Sequence, residues 1–122
     1  MKYKKYVYGL VLAVLITLFS GNFATATQSP LGYFDAIVNG DVAAGWTFDP
    51  DLPSNSNSVH FYVDGPAESG VFAGSVITDG LRPDVNQAYG ITGNHGFGFR
   101  IPDSFRDGVQ HTIYAYGIDL ND

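Results

Sequence analysis

Residues 45–65, GWTFDPDLPSNSNSVHFYVDG, decide how the rest of the chain folds. Two runs of alternating residues flank a loop of Asp, Pro, Ser and Asn, the pattern of two β-strands joined by a surface connection. In the second run Val59, Phe61 and Val63 share one face, because strand side chains alternate with a period of two. Trp46 and Phe48 share a face in the same way and are the expected partners of that stripe, which puts Trp46 in the core. The stretch is the centre of a small β-sandwich.

Working outward, residues 32–38 (GYFDAIV) form a first strand closed by the turn pair Asn39-Gly40. Residues 43–49 and 59–64 are the second and third strands. Residues 71–78 make a fourth, with Gly74 inside it marking a bulge or a close backbone approach. Residues 83–88, with Pro83 suited to a first helical position, are one or two helical turns. Residues 96–101 are a fifth strand with Phe97, Phe99 and Ile101 facing one way. Phe105 is a plug in the following turn, and residues 111–119 are the last strand. No helical stripe competes with these assignments. The fold class is therefore all-β: an antiparallel two-sheet sandwich, Ig-like or fibronectin-like, of about 6–7 strands with one short helical turn near 83–88.

The first 26 residues read differently. Lys2, Lys4 and Lys5 precede an apolar run from Gly9 to Phe19, and Ala24-Thr25-Ala26 supplies the small residues a signal peptidase reads. The run is about half the ~20 residues a spanning helix needs, so export and cleavage after Ala26 is the expectation. Residues 1–26 are then a signal peptide and 27–122 the module, secreted to the extracellular space or cell envelope. Removing the leader lysines leaves three basic residues against twelve acidic ones, a formal charge of −9. A domain so acidic repels polyphosphate and anionic lipid, which argues against nucleic-acid and membrane partners. With no cysteine, stability rests on aromatic and β-branched residues, each buried ring contributing about 2–3 kcal/mol.

The string Gly45-Trp46, Asp49-Pro50-Asp51, VHFYVDG (59–65), RPDV (82–85), His95-Gly96-Phe97 and HTIYAYGID (111–119) resembles an Ig-like repeat of secreted and cell-wall-associated bacterial proteins. The likeness spans nearly all of residues 27–122. It implies a sandwich fold and an extracellular setting, and little about activity.

Several constellations bear on chemistry. Asp49 and Asp51, with Asn55 and Asn57, present oxygens to a calcium ion, or else cap the turn through backbone N–H groups. An EF-hand loop starting at Asp49 is excluded, because its fifth and twelfth positions hold Pro53 and His60. Arg82 and Asp84 read as a structural clamp, with Asp49 or Asp51 as the carboxylate the guanidinium fork reaches. His60, His95 and His111 lack the short spacing of zinc sites. No G-x-S-x-G elbow occurs, and Glu68 is the sole glutamate, so neither a nucleophile nor a glycosidase pair of carboxylates stands out. Tyr62, Tyr114, Tyr116 and His60 are expected on the outer face. There they either stack on a ligand or pair across strands.

The expectation is a non-enzymatic secreted module acting in surface attachment, adhesion or assembly, with a protein or glycan partner at the cell surface and no cofactor beyond the calcium alternative. The second reading is a carbohydrate-binding module using the exposed Tyr and His.

Overall fold

The computed structural model describes residues 5–9, as backbone, and residues 27–121. Eight strands lie among them: β1 (Lys5–Gly9), β2 (Leu31–Val38), β3 (Val42–Phe48), β4 (Ser58–Val63), β5 (Val71–Ile77), β6 (Gly80–Leu81), β7 (Asn94–Arg100) and β8 (Ile113–Gly117). A seven-residue helix, α1 (Pro83–Tyr89), follows β6, and a 3-10 turn covers Asp103–Phe105. The strands form two four-stranded sheets, ordered β1-β8-β4-β5 and β2-β3-β7-β6. Every pairing is antiparallel except β1 with β8. The chain is an all-β two-sheet sandwich.

The core lies where the inner faces meet. Val59, Phe61 and Val63 of β4, Ile113 and Ala115 of β8, and Phe97, Phe99 and Ile101 of the opposite sheet are all buried, joined by Phe34 and Ala43. The Phe61 ring stacks on Phe99 at 4.2 Å and meets Phe97 edge-on at 5.6 Å, while Phe97 meets Phe34 edge-on. These rings supply the apolar burial that no disulfide replaces. Phe105 packs against the cluster from the 3-10 turn, the plug its position suggested.

Local chemistry sets the turns. Asn39 and Gly40 both have positive φ, and Asp41 N–H donates to the Val38 carbonyl, which closes the β2–β3 hairpin. Gly74 has φ +145°, and the β4–β5 register shifts beside it, the bulge expected inside that strand. Pro83 begins α1, and Gly90 in the left-handed region ends it.

Three features depart from the sequence reading. Trp46 is half-buried and outside the core cluster. Residues 44, 46 and 48 of β3 point away from Ala43 and Gly45, so Trp46 stacks on Phe48 (6.1 Å) and touches Tyr89 of α1 (5.5 Å). The inner face of β3 carries small residues because Phe97 fills the space: a Cβ on Gly45 would lie 2.7 Å from the Phe97 ring. A second difference is β6, a two-residue strand absent from the sequence reading, in which Gly80 pairs with Gly96 and Leu81 with Asn94 of β7. The third is β1. Most of residues 1–26 lie outside the described residues, but Lys5–Gly9 forms an edge strand parallel to β8, in register Lys5 to Ile113 through Gly9 to Gly117.

Candidate functional site

Alternation along β4 and β8 turns His60, Tyr62, Tyr114 and Tyr116 to the outer face of their sheet, because the intervening residues are in the core. Register places His60 opposite Tyr116 and Tyr62 opposite Tyr114. The structure thus brings together the four residues expected to share a face. It adds Phe72 of β5, which the sequence reading left out. The Gly74 bulge breaks the alternation of β5, so counting residues alone does not show which way Phe72 points. Its ring meets His60 at 5.7 Å and Tyr62 at 5.4 Å, and Tyr62 meets Tyr116 at 5.6 Å. All three contacts are edge-on, with interplanar angles of 73°, 61° and 86°. Tyr116 is not exposed as expected. It is only 8% accessible, and its hydroxyl accepts a hydrogen bond from Ala67 N–H.

The outermost strand of this sheet is the other unusual surface. Val71, Phe72 and Ile77 of β5 are 57%, 53% and 62% exposed. Among the described residues no further strand pairs with β5, and the segment VFAGSVI carries no charge.

The Asp-Pro-Asp loop is held by its own backbone. Asp49 is fully buried, its Oδ1 accepting from Asp51 N–H and its Oδ2 from Leu120 N–H, each at 2.8 Å. Asp51 accepts from the Gln28 N–H, and the buried Asn57 donates its amide to the Ile118 carbonyl. Asn55 is exposed, with its N–H bonded to the Leu52 carbonyl. Asp49 caps the turn through the Asp51 N–H, and Asp49, Asp51 and Asn57 also tie the loop to backbone far away in sequence, at both ends of the module. Among the described residues no three His, Cys, Asp or Glu side chains gather in metal-binding geometry.

Arg82 is a clamp with different partners from those anticipated. Its Nε and one terminal nitrogen form a fork with Asp84 (2.9 and 2.7 Å), and the other terminal nitrogen reaches Asp35 on β2 (2.7 Å), not Asp49 or Asp51. Asp35 was out of view in the sequence because β2 becomes a neighbour only through the sheet order. The guanidinium holds the Asp84 carboxyl down to about 2, helped by the Val85 N–H, and its own pKa is raised by the same bond. Beside the clamp lies an open depression of about 340 Å³, lined by Asp35, Ala44, Gly80, Arg82, Gly96 and Gly98.

The three histidines have separate fates. His60 belongs to the aromatic face. His95 is buried against Phe48, with its Nε2 at 2.8 Å from the Thr92 carbonyl. His111 bridges two carboxylates, Nδ1 to Asp64 (2.7 Å) and Nε2 to Asp107 (2.9 Å), and its pKa is raised chiefly by the bond to Asp64 and then by that to Asp107. When protonated, the ring donates from both nitrogens, and either way His111 joins the end of β4 to the loop before β8. The i,i+4 spacing of Asp107 and His111 was a legible hint that the sequence reading did not use. Arg100 and Arg106 pair with Asp41 and Asp103.

Comparison with models of known families, with curated proteins and with solved structures returned no match.

Proposed function

We propose that this chain is a non-enzymatic, exported β-sandwich module, of the Ig-like kind found in bacterial secreted proteins, that acts in surface attachment, adhesion or assembly through its β4–β5–β8 sheet. The observation that carries this reading is the apolar, uncharged edge strand β5, with Val71, Phe72 and Ile77 all more than half exposed. Isolated exposed apolar residues are ordinary, but a row of them on an open sheet edge is a template for pairing with another chain. Soluble domains blunt such an edge with charge, proline or a bulge; β5 has the bulge at Gly74 but neither charge nor proline. The test is light scattering of the exported protein over a concentration series, together with its retention on cell envelopes. Assembly or retention that Phe72→Ser weakens is the expected result; a monomer that binds nothing at any concentration overturns the reading.

The aromatic face supports a second reading, recognition of a cell-wall or environmental glycan by Tyr62, His60 and Phe72. It ranks below the first because Tyr116 is buried and the remaining rings meet edge-on, so that neighbouring rings cover part of the faces a sugar would stack on. A glycan array separates the two. Retention on a glycan that is lost in Tyr62→Ala and Tyr114→Ala, with the protein still monomeric, supports carbohydrate binding.

A further inference from the structure

We propose that removal of the leader uncovers a strand-accepting edge on β8, and that β5 of a second copy fills it, so that copies add head to tail into an extended sheet. The proposal rests on the assembly reading above and specifies its contact. Its first premise is that the β8 edge takes a parallel strand: Lys5–Gly9 pairs there over five successive residues, from Ile113 to Gly117. Cleavage after Ala26 removes that strand and makes β8 the outermost strand of its sheet.

Strand polarity then selects the occupant. β4 runs antiparallel to both β5 and β8, so β5 and β8 point the same way. They lie at opposite edges of the shortened sheet β8-β4-β5. A copy displaced along the sheet, with only the small rotation that sheet twist demands, presents its β5 beside β8 in the polarity that Lys5–Gly9 has. A two-fold dimer through β5 and β5, or through β8 and β8, would instead place antiparallel strands at each edge. The parallel pairing at β8 therefore favours the heterologous contact, and heterologous contacts that do not close into a ring propagate.

Composition fits as well. The two edges, VFAGSVI and IYAYG, are free of charge on a module whose formal charge is −9 once the leader is gone. Both are therefore suited to contact between like-charged copies. With the leader in place the β8 edge is covered, so assembly waits until export.

The test uses the exported protein, its N-terminus identified by mass spectrometry. Light scattering over a concentration series is expected to show a mass rising from one copy towards multiples of it. Val71→Lys with Ile77→Lys, both more than half exposed on the edge strand, is expected to return the mass to that of one copy while circular dichroism stays unchanged. Independently, a synthetic peptide of residues 5–9 added to the unaltered protein is expected to lower the mean mass by capping β8. Assembly that ignores both the lysines and the peptide overturns the β5–β8 contact and leaves the assembly reading standing. A monomer at every concentration overturns both. An exported chain that retains residues 5–9 overturns the proposal too, since its β8 edge is already filled.

Discussion

At the scale of single residues, two polar side chains carry most of the local argument. His111 is held by Asp64 and Asp107, and its pKa lies above the ordinary 6.5. A group whose folded pKa is raised adds stability that is complete below the unfolded value and lost as pH climbs through the folded one. Stability should therefore decline as pH rises from about 6.5, and His111→Gln should flatten that slope in melting temperatures recorded across neutral pH. Asp107 is lowered, first by the Val109 N–H and then by His111, so its share is present above the unfolded value and is lost only in acid. Asp49 is the second case. Replacing it with Ala strands the N–H groups of Asp51 and Leu120, at a cost of about 2–3 kcal/mol in denaturant unfolding. Because both oxygens already accept from backbone, EDTA should leave the melting temperature where it was. A drop on chelation would restore the calcium alternative.

At the scale of elements, the sheets are built by matching large residues to small ones. Phe97 occupies the place that a side chain at Gly45 would need, and a Cβ there would also come within 2.2 Å of the Tyr33 carbonyl. Gly45→Ala should therefore cost about 3 kcal/mol, the upper end for overpacking, measurable as a fall in the denaturation midpoint without change of slope. The same pairing explains Trp46. Size alone suggests that the largest ring of β3 belongs in the core, but Phe97 of the neighbouring strand β7 fills that volume, and Trp46 packs against Tyr89 of α1 instead. The bounds of the six expected strands, by contrast, were readable to within about two residues, although β1 and β6 were not foreseen. Turn residues and period-two alternation act over a few neighbours, and those are visible in a linear chain.

For the whole molecule, charge and edges oppose each other. Acidic residues keep copies apart, while the uncharged β5 edge invites contact. Salt shortens the reach of the repulsion and leaves backbone pairing nearly untouched. Raising the ionic strength should therefore increase the mean mass of a chain of residues 27–122 in light scattering. A mass that falls with salt would point to ion pairs between copies instead of edge pairing. Arg82, Arg100 and Arg106 are each paired with aspartate inside the module, so none of them offers a ready electrostatic handle to a partner.

Alternation and turn chemistry by themselves determined an all-β sandwich, the inward stripes of Val59, Phe61 and Val63 and of Phe97, Phe99 and Ile101, and the shared outer face of His60, Tyr62, Tyr114 and Tyr116. Tertiary structure alone decided that Arg82 reaches Asp35, that His111 joins Asp64 to Asp107, that Phe72 completes the aromatic face, and that β5 is an edge. The division has one physical cause. Backbone geometry and side-chain period are local, whereas sheet order brings together residues far apart in sequence, and only the folded chain reveals which of them meet.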